Sequence, residues 1–100
     1  MKLGLRKRPM TYHILKIESD SFEAIRGGGK QFEIRFNDRD YQQGDILCLR
    51  EWHSEKGFSG RSIQADVTYM KPGQRGLLTG WVVLGISVFY VGDTESELKH

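Results

Sequence analysis

The sequence predicts a mostly β (α+β) fold: a small β-barrel of about five to six strands with one short N-terminal helix. Three observations predict it. Five segments between Thr11 and Val91 carry strand signatures, as alternating or continuous apolar runs. Gly, Pro, Asn and Asp punctuate the chain between them. A single helical signal lies early, between the first strand and the second. Short strands separated by turn chemistry favour a mostly antiparallel sheet, and closing that sheet into a barrel removes sticky edges.

The 100 residues suit one domain, placed at residues 11–92 between a flexible basic lead-in (1–10) and a polar tail (93–100). The first strand is Thr11 to Ile17, with Tyr12, Ile14 and Lys16 on one side and His13, Leu15 and Ile17 on the other. Asp20 followed by Glu23 has the form of a capping box, and Phe22, Ile25 and Arg26 follow at helical spacing. Gly27-Gly28-Gly29 then stops the helix.

The second strand begins at Lys30. Alternation puts Phe32, Ile34 and Phe36 on one face and Gln31, Glu33 and Arg35 on the other, which reads as an apolar core face and a charged face over a polar groove. Asn37 to Asp40 and Tyr41 to Asp45 read as turns. Ile46 to Trp52 is a third strand, apolar on both faces at its start and therefore central or inside a barrel. His53 to Gly60 suits a hairpin loop. Arg61 to Met70 alternates as a fourth strand, Lys71 to Gly80 is a breaker-rich loop, and Trp81 to Val91 is a fifth strand in which Gly85 suggests a bend or bulge.

Several chemistries are set aside by the same residues. One cysteine, Cys48, sits in an apolar run and reads as a buried structural thiol in a reducing compartment. His13, His53 and His100 are not at metal-ligand spacing, so no metal and no cofactor is expected. The glycine run precedes a strand rather than a helix, so it is no phosphate loop. No signal peptide or membrane span is evident, and the expected location is the cytoplasm. The net charge of +2 demands no polyanion, although Lys2, Arg6, Lys7, Arg8 and Lys16 precede any acid. That arm reads first as a solvated terminus and second as a phosphate contact.

What remains is the polar constellation of the second strand: Lys30, Glu33 and Arg35, extended by Asn37, Asp38 and Arg39. Guanidinium groups suit phosphates and planar acceptors, and a carboxylate accepts from a base edge. Arg61 is a further groove candidate, and Trp52 and Tyr69 could stack a base. The plainer account of Glu33 and Arg35 is an ordinary surface ion pair.

Gly29-Lys30-Gln31-Phe32-Glu33-Ile34-Arg35 resembles the Gly-x-Lys-x-x-Glu-x-Arg signature of ASCH domains, a branch of the PUA-like superfamily. The likeness extends to Phe36-Asn37-Asp38-Arg39-Asp40-Tyr41, Gly44-Asp45-Ile46-Leu47, Leu49-Arg50-Glu51-Trp52 and Gly60-Arg61, in the manner of a compact bacterial and phage subfamily whose function is not established. The resemblance covers about Tyr12 to Val91. It implies a PUA-like barrel with the helix packed at one end, and a positively charged cleft beside it that binds RNA or a nucleotide-like ligand. It also implies an alternative, a small amidohydrolase of acetylated nucleosides, in which Lys30 and Glu33 would be the catalytic pair. That branch has a threonine where Glu33 stands and a helix after its third strand that this sequence lacks, so the residues favour binding over hydrolysis.

Overall fold

The computed structural model of the chain describes residues 9–72 and 79–93. The basic lead-in up to Arg8, most of the loop before Trp81 and the tail beyond Asp93 lie outside the described residues.

Runs of β-branched and aromatic residues form five strands: β1 (Tyr12–Glu18), β2 (Phe32–Phe36), β3 (Ile46–His53), β4 (Gly57–Pro72) and β5 (Trp81–Asp93). One helix, α1 (Ser19–Arg26), follows β1 directly. The strands make one sheet in the order β1-β3-β4-β5-β2, in which β1 runs parallel to β3 and the other pairs are antiparallel. The parallel pair is possible because α1 and β2 supply the long crossover that such a pair requires.

The sheet curls into a half-barrel. Its inner face carries Leu15, Ile17, Leu47, Leu49, Ile63, Ala65, Val67, Val82, Leu84 and Ile86, and Phe22 and Ile25 of α1 close the core from one end. β3 is flanked on both sides, by β1 and β4, as suits its apolar start. β5 is flanked on both sides only as far as Gly85, where Phe32 of β2 and Tyr69 of β4 both pair with it. The register slips between Val67 and Tyr69 at this point, so the bend expected at Gly85 coincides with an irregularity in the neighbouring strand.

The two edge strands do not meet through a backbone ladder. Arg35 of β2 donates from Nη2 to the Lys16 carbonyl at 2.9 Å, and Arg39 donates from Nη1 to the Ile14 carbonyl at 2.9 Å. Side chains from one edge therefore satisfy carbonyls of the other, and the seam stays wide.

Three sequence expectations need correction. The faces of β2 are reversed: Phe32, Ile34 and Phe36 are exposed, whereas Glu33 is buried and Arg35 half-buried. The register explains it, since Glu33 lies opposite Leu84 and Arg35 opposite Val82, both inward residues of β5. The capping box does not form. Glu18 is the N-cap and makes no side-chain cap bond, while Glu23 turns to Arg26 and Arg61 instead. The glycine run does stop the helix as expected, with Gly27 as the right-handed C-cap and Gly28 in the left-handed conformation (φ 85°). The hairpin loop after β3 is short, because His53 already pairs with Gly57 and β4 starts there.

A second polar knot holds the entrance to β1 and β3. Asp45 is fully buried, and its carboxylate accepts from the Thr11 amide (3.1 Å), the Gln42 amide (2.9 Å) and His13 Nε2 (2.8 Å). The His13 ring packs on the ring of Tyr41, centroids 4.7 Å apart. Truncating a buried, multiply bonded carboxylate strands all of its donors at once. Asp45→Ala is expected to lower stability by about 3 kcal/mol or more, read as a fall in the urea midpoint at unchanged m-value.

Candidate functional site

The wide seam between β1 and β2 is a cleft of about 560 Å³. Residues of β1 (Lys16, Glu18), α1 (Asp20, Ser21), β2 and its approach (Lys30, Glu33, Arg35) and the following turn (Asp38, Arg39, Tyr41) line it, with Trp81 at the β5 end. The alternation of β2 is what aims Glu33 and Arg35 at it, and Lys30 enters from the strand's approach.

Glu33 is the centre of the arrangement and is only 5% exposed. Its Oε1 accepts from Lys30 Nζ at 3.0 Å and its Oε2 from Arg35 Nε at 2.7 Å. Lys30 Nζ also lies 3.4 Å from the Ser21 hydroxyl, which ties the cluster to α1. A buried carboxylate without partners would cost several kcal/mol, and here each oxygen has its own cation. Because Arg35 also reaches the Lys16 carbonyl, one guanidinium joins the ion cluster to the opposite edge of the sheet.

The lining is electrically balanced rather than positive. Lys16, Lys30, Arg35 and Arg39 face Glu18, Asp20, Glu33 and Asp38. Tyr41 is buried beside these groups, and burial pushes its phenol up from its ordinary value.

Of the residues singled out from the sequence, the fold brings Lys30, Glu33, Arg35 and Arg39 into this cleft. Asn37 supports it from behind, its side-chain oxygen accepting from the Tyr41 amide at 2.9 Å. Trp52 stands in an adjoining hollow of about 310 Å³ that shares Glu18 and Asp20 with the cleft, and Lys16 Nζ lies 4.0 Å from the centre of its ring. Arg61 is elsewhere. It chelates Glu51 through Nε and Nη2, both at 2.8 Å, donates to Glu23 at 2.7 Å and lies 4.6 Å from the centre of the Phe22 ring. Gly60, in a left-handed conformation (φ 93°), lets the irregular segment opposite Glu51 present Ser59 and Arg61 to it.

Lys16, Ser21, Tyr41 and Trp81 also line the cleft and were not selected from the sequence. The alternation of β1 separates Lys16 from the inward Leu15 and Ile17, but only the curl of the sheet brings it near β2. Among the described residues, no group of three or more His, Cys, Asp or Glu side chains is placed to hold a metal ion, and no helix is long and apolar enough to cross a membrane.

The fold and this cleft define a class: a small curled-sheet protein with an ion-paired polar cleft at its open seam. The chain belongs to the family described as "Domain of unknown function (DUF3850)", whose model matches residues 12–86 and so takes in the whole cleft. It is similar to the "Uncharacterized 12.9 kDa protein in GpA 3'region" of Escherichia phage P2, at 38% identity over 56 residues, which is 56% of this chain and 50% of that protein. The chain thus spans about half the length of the curated relative it matches.

The Glu51–Arg61 corner carries a pH signature of its own. The Arg61 guanidinium, with smaller help from Ser59, holds the Glu51 carboxyl at about 2, below its ordinary 4.5. A carboxyl lowered on folding stabilises the fold above its unfolded value and loses that contribution as pH falls toward its folded value. The expectation is that stability falls between about pH 4.5 and pH 2, and that Glu51→Gln flattens this part of the profile, measured by urea unfolding at stepped pH.

Proposed function

We propose that the chain is an RNA- or nucleotide-binding module of the ASCH branch of the PUA-like superfamily, with its ligand in the cleft between β1, α1 and β2. The observation that carries this reading is the convergence of Lys30, Glu33, Arg35 and Arg39 on one concave surface of about 560 Å³. That volume suits one nucleotide-sized unit, since small-molecule sites span roughly 300–1,000 Å³. Donors on Arg35, Arg39 and Lys30 suit phosphate or carbonyl oxygens, and the carboxylates of Glu33 and Asp20 suit the amino edges of bases.

The alternative is an amidohydrolase acting on an acetylated nucleoside. It draws on the contacts of Lys30 Nζ with the Glu33 carboxylate (3.0 Å) and the Ser21 hydroxyl (3.4 Å). Both Glu33 oxygens are engaged by cations, which suits a fixed recognition element better than a proton carrier. Turnover of acetylcytidine above background would select the alternative.

Lys30 and Arg35 are poor first targets, because removing either uncovers the buried Glu33 charge and costs roughly 3–5 kcal/mol. Arg39 and Lys16 are cleaner. Arg39→Ala and Lys16→Ala are each expected to weaken binding of a short unstructured RNA about tenfold, with affinity falling as salt rises. Affinity indifferent to salt and to both substitutions would overturn the binding reading.

A further inference from the structure

The outer face of β2, β5 and β4 is the largest feature that the cleft leaves unexplained. The ladder registers arrange it in rows: Tyr69–Gly85–Phe32, then Lys71–Val83–Ile34, then Trp81–Phe36. Residues opposite one another share a face, and the intervening Met70, Val82, Leu84 and Glu33 point inward. Phe32 and Ile34 are each 42% exposed, Phe36 51%, Trp81 36% and Tyr69 55%. Isolated exposed apolar residues are ordinary, but a contiguous aromatic patch on one sheet face marks a binding surface.

We propose that this face is a stacking platform for single-stranded RNA, carrying bases that lie beyond the nucleotide held in the cleft. The inference rests on the nucleotide-binding reading of the cleft and extends it from one unit to a strand. Three observations select this occupant.

The face is continuous with the cleft, because Ile34, Phe36 and Trp81 belong to both. A strand leaving the cleft past the Phe36–Trp81 pair, whose rings meet edge to face at 5.9 Å, arrives directly on it. The Tyr69–Phe32 row has no side chain at its middle. Gly85 sits there, and a Cβ at that position would come within 3.0 Å of Tyr69 Cβ. Tyr69 therefore lies close over a position with no side chain of its own, and its ring and that of Phe32 are each exposed for a planar base to stack on. The charge suits a phosphate chain. Lys71 stands in the middle row, and no described residue of the three rows is a carboxylate.

The test compares uridine monophosphate with a uridine pentanucleotide, by fluorescence titration and by anisotropy of the labelled pentamer. The wild type is expected to bind the pentamer at least about tenfold more tightly than the mononucleotide. Tyr69→Leu, which keeps apolar area and removes the ring, is expected to lose about tenfold for the pentamer and nothing for the mononucleotide. Tyr69→Phe retains wild-type affinity. Lys71→Gln lowers the salt dependence of pentamer binding by about one phosphate contact and provides a readout independent of the ring.

If the wild type binds the mononucleotide and gains nothing from length, the platform is overturned while the cleft reading stands. If it binds neither, both are overturned. A concentration-dependent dimer in sedimentation, with pentamer affinity unchanged in Tyr69→Leu, would assign the face to a second copy and also overturn the proposal.

Discussion

The burial of Glu33 is the constraint on which the rest of the molecule turns. A carboxylate at 5% exposure is tolerable only with strong partners, and Lys30 and Arg35 take one oxygen each. Those partners must come with it to the inner side of β2. The strand therefore turns its charged face inward and its aromatic face outward, against the usual preference of Phe and Ile for the interior. The exposed patch on the outer face is the complement of the buried ions on the inner one.

The same arrangement explains why there is a cleft at all. Had the edges of the sheet joined by a ladder, β1 and β2 would lie about 4.8 Å apart with little room between them. Arg35 and Arg39 reach across instead and donate to the Lys16 and Ile14 carbonyls. A guanidinium with its stem is far longer than a backbone hydrogen bond, so closure by side chains props the seam open. The edge carbonyls gain partners, and the space between the strands becomes the site. Asp45 works at the other end of β1, where its carboxylate gathers the Thr11 and Gln42 amides and His13 and fixes where β1 enters against β3.

The strands were legible because apolar alternation and turn chemistry act locally. The turn at Gly44-Asp45 and the strand from Ile46 could be read from neighbouring residues. The facing of β2 could not, because period-two alternation divides residues into two sets without saying which set is inside. Hydrophobicity answered that question wrongly here, since ion pairing with Lys30 and packing against β5 decided it. Arg61 failed for a related reason. Its partners Glu51 and Glu23 lie on β3 and α1, and nothing in the local sequence Phe58-Ser59-Gly60-Arg61 points to them. The Asp20–Glu23 capping signal was likewise overridden, because Arg26 and Arg61 offer Glu23 a better bond than the helix amides do.

Charge balance narrows what the cleft can select. Each cation at its floor already faces a carboxylate or a carbonyl, so bringing in a bare phosphate would set it against Glu33, Asp20 and Asp38. Coulomb attraction alone is then a weak source of affinity. A ligand that presents donors and acceptors side by side fares better, because it can bond to the carboxylates and the guanidinium groups together and leave the ion pairs intact. Base edges have that alternating pattern and phosphates do not. On the nucleotide-binding proposal, the base, rather than the phosphate, would occupy the Lys30–Glu33–Arg35 floor, with the phosphates directed to the rim near Lys16 and Arg39.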